Sequence, residues 1–307
     1  MIVENSRLRM IICDALHVLP EKVSDIILLK KGMTNRSYSF VCGDEKYMIR
    51  IPGEGTEYLI NRKQEAAVYK TIAQYHISDE VCYIDPATGI KITRFWDGAR
   101  VCDPFVLEDV SMCIKKLRNM HEEKLRTDHM FDILGQIDFY EKLRRDKPSV
   151  YLDYEETKKH VLELKKYVEQ FVISPVLTHI DAVCDNFLFI SKKDGSEEIR
   201  LIDWEYAGMQ DPHVDIAMFC IYACYDREWV DKVIDLYFTE DCKKEIRIKI
   251  YCYIAMGGLL WSNWCEYKRT LGIEFEEYAR CQYQYAKDYY GIVQDEIGQM
   301  ETDICIR

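Results

Sequence analysis

The sequence predicts an α+β protein with a small β-rich N-terminal lobe, residues 1–97, and a larger, mainly α-helical lobe, residues 98–307. Two observations predict it. Short strand-like runs cluster before residue 97, and helical periodicity dominates after Pro104. The chain has 307 residues, enough for two modest lobes that each bury a core.

Residues 1–20 read as an amphipathic helix ending near Pro20. Ile26–Leu29, Arg36–Cys42 and Lys46–Ile51 read as three strands. Lys31-Gly32-Met33-Thr34-Asn35 and Gly43-Asp44-Glu45 punctuate them. Asn61–Tyr75 is rich in helix formers, and Ala66, Tyr69, Ile72 and Ala73 recur at helical spacing. Val81–Ile84 and Ile90–Phe95 read as two further strands around Asp85-Pro86 and Gly89.

Beyond Asp103-Pro104, the segments Glu108–His121, Phe131–Arg145 and Glu155–Phe171 carry helical periodicity. Strand-like runs at Val176–Ile180, Asn186–Ile190 and Arg200–Asp203 interrupt them and suggest a central hairpin. From His213 onward the chain returns to helices.

Composition narrows the function. Hydrophobic residues make up 48% and charged residues 31%, a globular balance. The net charge of −12, with no basic stripe, argues against a nucleic-acid partner. Thirteen cysteines are scattered with no CxxC pair. They read as reduced thiols of a cytoplasmic protein, mostly small buried hydrophobes, and not as a disulfide framework or zinc site. Cys220 and Cys224 are expected to stack on one helix face. The N-terminus shows no secretory signal, and the apolar run Tyr251–Cys265 is too short to span a membrane.

The chemistry concentrates in Leu177–Phe189, LTHIDAVCDNFLF. Asp181 and Asn186, five positions apart in a loop, can supply a carboxylate for a hydroxyl proton and an oxygen ligand for Mg²⁺. Seventeen residues after Asn186, an apolar run ends in Asp203, which can reach a cation bridging nucleotide phosphates. Either feature alone is ordinary loop or strand-end chemistry. HxDxxxxN followed by IDW is far more specific.

These segments resemble the catalytic loop and metal-binding acid of the choline and ethanolamine kinase family, within the aminoglycoside phosphotransferase superfamily of protein-kinase relatives. The resemblance covers most of the chain and implies a protein-kinase-like bilobal fold that uses Mg²⁺ and ATP. Lys31–Asn35 resembles the family's nucleotide-covering turn, although it holds one glycine in place of GxGxxG. Tyr47–Gly53 resembles the third strand, whose basic residue reaches the phosphates, and Glu65 is placed like the acid that pairs with it. The connector Phe95-Trp96-Asp97-Gly98-Ala99-Arg100 resembles the hinge that borders adenine.

On that resemblance Asp181 is the catalytic base, Asn186 and Asp203 hold the metal, and Asn35, Arg50, Glu65, Phe95 and Trp96 serve the nucleotide. His179 belongs to the loop scaffold, and Asp215 braces the catalytic loop. Lys46 shares a strand face with Arg50, so alternation alone leaves both as phosphate contacts.

The acceptor question rests on Trp261 and Trp264, three apart on one helix face. A quaternary ammonium has no N–H to donate and is held by aromatic faces and carboxylates. The pair resembles the lining of the choline pocket of choline kinases. Glu205, Tyr206 and one of Tyr278, Tyr283 or Tyr285 are expected to join it, with Asp181 at the hydroxyl. Core packing is the competing reading of the tryptophans. The expected reaction is phosphorylation of choline. The alternatives are a same-fold kinase for ethanolamine, an aminoglycoside or a sugar, and an inactive nucleotide-binding module.

Overall fold

A computed structural model describes residues 2–29, 35–53, 56–145 and 147–306. In chain order the first elements are α1 (Ile2–Leu16), β1 (Val23–Leu28), β2 (Asn35–Cys42), β3 (Glu45–Pro52), α2 (Arg62–Ile72), β4 (Val81–Ile84), β5 (Lys91–Arg94) and β6 (Arg100–Val101). Then follow α3 (Leu107–Glu122), α4 (Ile133–Leu143), α5 (Tyr154–Glu163), α6 (Lys165–Val168), β7 (Val176–Thr178), β8 (Phe187–Ser191), β9 (Glu197–Leu201) and β10 (Gly208–Gln210). The chain closes with α7 (His213–Tyr222), α8 (Arg227–Tyr237), α9 (Lys244–Thr270) and α10 (Glu276–Ile306). Two compact units result. One comprises residues 1–101 with 185–207, the other 102–184 with 208–307.

The first unit is built on an antiparallel sheet of order β1-β2-β3-β5-β4. Its core gathers Tyr38, Phe40, Ile49 and Ile92 with Leu8 and Ile12 of α1. The β2–β3 turn passes through Gly43 at φ +65°, a left-handed conformation that glycine adopts without steric cost. Asn61 caps α2, its side chain accepting from the backbone N–H groups of Lys63 and Gln64. A smaller sheet, β6-β8-β9, completes this unit. The segment carrying β8 and β9, expected among residues 98–307, thus folds with the N-terminal sheet.

The second unit is helical. Helix α9 is its hub, packing against α10, α7 and α4. Two adjacent glycines permit the close approaches. A Cβ on Gly257 would lie 2.9 Å from Ile221, and one on Gly258 would lie 2.5 Å from the Gln282 carbonyl. The expected hairpin is made by β8 and β9, while β7 pairs antiparallel with β10. Three-residue strands give too little alternation to reveal that partnership. The helix expected over 155–171 breaks near Leu164 into α5 and α6. Helix α7 stops at Tyr222, so Cys220 is buried but Cys224, at φ +53°, is exposed. The two do not share a helix face. Six of the twelve described cysteines are buried, and none of the twelve is in a disulfide. No helix among the described residues is long and apolar enough to cross a membrane.

Candidate active site

Most of the expected nucleotide and metal residues come together in the first unit. Strand β3 directs the nearly buried Arg50 guanidinium at Glu65 of α2, with contacts of 2.6 and 2.9 Å. Arg50 Nη1 also lies 3.2 Å from Asp203 and 3.4 Å from Glu205. Arg62, absent from the sequence expectations, donates to Glu65 and to Glu205, both at 2.9 Å. Asn35 Nδ2 donates to Glu205 at 3.1 Å. Glu205, expected at the acceptor, therefore has its carboxylate committed to Arg50, Arg62 and Asn35. Tyr206 beside it is half-buried. The rest of the Lys31–Asn35 turn lies outside the described residues.

This cluster separates Arg50 from Lys46. Lys46 pairs with Asp97 at 2.6 Å in an exposed position and lies 4.4 Å from the Phe95 ring centroid. The same strand face therefore carries one half-buried lysine paired with an exposed aspartate and one arginine among three carboxylates. The Phe95 backbone N–H donates to the Lys46 carbonyl at 2.9 Å, and Arg94 sits 5.4 Å from the Trp96 ring centroid.

Asn186 and Asp203 are brought together by the β8–β9 ladder. Phe187 faces Leu201 across it, and the Ile202 backbone N–H donates to the Asn186 carbonyl at 2.9 Å. The buried Trp204 anchors the turn through its indole N–H to the Leu201 carbonyl, 2.7 Å. Asp203 itself is at φ +65°, a sparsely populated conformation for a non-glycine residue.

The electrostatics differ among the acids. Burial alone would raise the Glu65 carboxyl, but the Arg50 charge and hydrogen bond bring it down to about 2. Burial, with Glu205 nearby, raises Asp203 to about 6 despite Arg50. Carboxylate oxygens of Glu65, Asp203 and Glu205 lie within 4.8 Å of one another. All three meet Arg50, but the Asp203 side chain is 32% exposed against 0% and 2% for Glu65 and Glu205, which makes it the carboxylate within reach of a cation. The Asp203 carboxylate and the Asn186 side-chain oxygen are of the hard-oxygen type that Mg²⁺ accepts.

In the second unit the loop after β7 carries Asp181. Its geometry is set by Asp215 on α7, which is fully buried. Asp215 accepts from the backbone N–H groups of His179 (2.9 Å) and Ile180 (2.7 Å) and contacts His121 Nε2 at 2.9 Å. Ile180 is held at φ +68°, strained for a β-branched residue, and its N–H is satisfied by that carboxylate.

The aromatic residues of this unit sort by their contacts. Tyr283 donates its hydroxyl to Asp153 and accepts from the Thr157 hydroxyl, and Tyr285 donates to the Tyr225 carbonyl. Tyr278 meets Tyr222 edge-on at 5.8 Å. Burial raises its phenol, and the Cys265 and Asp181 charges raise it further.

Trp261 and Trp264 are both buried on α9, 6.4 Å apart at 80°. The Trp261 indole N–H points at Met218 Sδ, 3.1 Å away and one turn before Tyr222. Trp264 stacks on Phe275 at 5.3 Å with Lys268 Nζ 5.3 Å from its centroid.

A small antiparallel-sheet unit and a larger helical unit, carrying HxDxxxxN and a strand-end acid, define a kinase-fold phosphotransferase. The choline/ethanolamine kinase family model matches residues 26–241, and the chain belongs to that family. It is an ATP-dependent phosphotransferase. Protein LicA of Haemophilus influenzae is 24% identical, over 81% of this chain and 75% of the relative. The crystal structure of choline kinase LicA from Streptococcus pneumoniae superposes with a TM-score of 0.80 at 24% identity, covering 94% of this chain and 99% of that one. A structure of LicA in complex with AMP gives a TM-score of 0.76 at 25% identity, covering 88% and 92%.

Proposed function

We propose that the protein transfers the γ-phosphoryl group of Mg-ATP to the hydroxyl of choline, forming phosphocholine and ADP. The observation that carries the acceptor class is the aromatic set on α7, α9 and α10: Tyr278 against Tyr222, with Trp261 reaching Met218 one turn away and the Asp181 charge acting on the Tyr278 phenol. A carboxylate and aromatic faces suit a cation without N–H donors. The similar pneumococcal protein is a choline kinase, which supports the same reading.

In this proposal Asp181 accepts the choline hydroxyl proton as the oxygen attacks the γ-phosphorus. The bond from that phosphorus to the β,γ-bridging oxygen breaks, and ADP leaves. Asp215 keeps Asp181 in place by holding the backbone on its N-terminal side. Arg50, oriented by Glu65, meets the phosphates, and Phe95 and Trp96 border the adenine. Asn35 and Arg62 hold Glu205 within the cluster. Asn186 and Asp203 would hold Mg²⁺, which when bound neutralises charge on the β- and γ-phosphate oxygens. Trp261, Tyr222 and Tyr278 face the ammonium, with Trp264 behind them and Tyr206 a further candidate. The protein works in the cytoplasm, a reading supported by cysteines scattered without framework spacing.

A coupled kinase assay across choline, ethanolamine, the methylated ethanolamines and kanamycin tests the proposal. Choline should give the highest kcat/KM, rising with each methyl group. A maximum at ethanolamine or kanamycin would overturn the choice of acceptor.

A further inference from the structure

Two thiols have no part in phosphoryl transfer as proposed. Cys224 and Cys281 are 57 residues apart in the chain, yet their Sγ atoms lie 2.7 Å apart, the Cys281 thiol donating to Cys224. Their neighbours enforce this approach. Gln282 Nε2 donates to the Ile221 carbonyl at 2.8 Å, and the Tyr285 hydroxyl donates to the Tyr225 carbonyl at 2.5 Å. Hydrogen bonds on both sides of Cys224 thus seat α10 against the end of α7. The left-handed backbone at Cys224 turns its side chain out of the helix face.

Access and reactivity agree with the geometry. Cys224 is exposed and Cys281 partly so. The hydrogen bond from Cys281 brings the Cys224 thiol down to about 7, although burial opposes it. Much of Cys224 is then thiolate at neutral pH, the form that attacks disulfides. Cys252 and Cys265 are buried, and burial pushes each up to about 12. Cys102, Cys113 and Cys184 also group together, but all three are buried beyond the reach of a solution oxidant.

We propose that Cys224 and Cys281 form a reversible dithiol–disulfide site, oxidised by a small-molecule disulfide of the glutathione type. The Cys224 thiolate attacks one sulfur of the oxidant, forming a mixed disulfide and releasing one thiolate. Cys281 then loses its proton and attacks the Cys224 sulfur, closing the protein disulfide and releasing the second thiolate. The two protein sulfurs are oxidised by two electrons, and one oxidant disulfide is reduced to two thiols.

The site has a consequence for the acceptor. Tyr222 lies two residues before Cys224, and Tyr278 three before Cys281. Their rings meet edge-on, and the Asp181 charge acts on the Tyr278 phenol. A covalent tie fixes this pair and removes its freedom to part for an incoming acceptor. This consequence rests on the acceptor reading above; formation of the bond does not.

The test equilibrates the full chain with graded ratios of reduced and oxidised glutathione, alkylates free thiols and maps peptides by mass. The expected result is a linked Cys224–Cys281 peptide pair that has lost two hydrogens and is restored by dithiothreitol. Cys281→Ser should trap glutathione on Cys224. Both cysteines remaining alkylatable at the most oxidising ratio, or links to other cysteines instead, would overturn the site. Oxidised protein should lose several-fold in choline kcat/KM with the ATP KM unchanged, and Cys224→Ser should not respond. A linked pair with unaltered choline kinetics overturns the consequence for the acceptor. A linked pair in a protein that never phosphorylates choline overturns the acceptor reading and leaves the redox site standing.

Discussion

The Arg50 guanidinium engages both carboxylate oxygens of Glu65 in a buried two-point contact, 2.6 and 2.9 Å long. That fork ties β3 to α2 and fixes where the arginine points. Removing one member strands a buried charge, which costs about 3–5 kcal/mol in such pairs. Glu65→Ala should therefore lower the unfolding free energy by about that amount, because Arg62 loses a partner too. Arg50→Lys keeps the charge but not the fork, and should raise the ATP KM more than the choline KM. Urea unfolding and steady-state kinetics measure the two effects.

Glu65 also predicts acid sensitivity. Its carboxyl falls from about 4.5 to about 2 in the fold. A depressed carboxyl stabilises fully above its unfolded pKa, and the contribution fades as pH falls toward the folded one. Stability should thus decline from about pH 4.5 downward, and Glu65→Gln should flatten that part of the profile. An identical acid slope in the variant would contradict the assignment.

Asp203 runs the other way. Burial and Glu205 raise it from 3.8 to about 6. The native state then holds more protons than the unfolded state inside that window, so stability falls as pH rises through it. Above about pH 6 the full cost is present. Asp203→Asn should melt higher than the parent in nucleotide-free solution near pH 8, lose that advantage near pH 4, and lack kinase activity at either. A variant less stable near pH 8 would mean that the Arg50 contact outweighs the burial of the charge.

Legibility in the sequence followed local density. Asp181, Asn186 and Asp203 fall within 23 residues, flanked by strand-like runs, so their spacing was visible before any contact was known. Arg62 was not, because an Arg three residues before a Glu on a helix resembles any surface pair until Glu205 is seen beside both. Tyr278, Tyr283 and Tyr285 crowd one helix and differ only in what their hydroxyls and rings touch. Cys224 was misplaced because helix α7 stops at Tyr222 with no glycine or proline to announce it. The roles of Arg62 and of the three tyrosines depend on contacts between residues distant in the chain, which periodicity does not encode.

The catalytic loop yields a paired prediction. Asp181→Asn should reduce kcat by about 10²–10⁴-fold, the usual contribution of a general base, with nucleotide affinity retained. Asp215→Asn leaves Asp181 intact but replaces an acceptor of the His179 and Ile180 N–H groups with a donor. An orphaned buried N–H costs about 1–3 kcal/mol. This variant should therefore lose both stability and kcat, whereas Asp181→Asn should lose kcat alone. Melting curves beside single-turnover rates separate them. An Asp181→Asn protein keeping more than about a tenth of the parental rate would remove the base from that position.

The two tryptophans should part company. Trp264 is stacked by Phe275 and covered by Lys268, so its ring already serves the fold. Replacing a buried tryptophan with alanine costs about 3–5 kcal/mol, and leucine refills part of that volume. Trp264→Leu should thus lower the melting temperature and change the choline KM little. Trp261 reaches Met218, one turn from the Tyr222–Tyr278 pair. A desolvated cation–π contact is worth about 2 kcal/mol, or roughly thirtyfold in affinity. Trp261→Leu keeps apolar bulk and removes the negative ring face, so the choline KM should rise by an order of magnitude or so while the ATP KM stays put. Ethanolamine should suffer less, because its primary ammonium can donate hydrogen bonds where choline has none to give. Both KM values and the melting temperature, measured for each variant, decide the matter. If Trp261→Leu loses stability with an unchanged choline-to-ethanolamine ratio, then Trp261 is core like its neighbour and the ammonium is held by other aromatic faces.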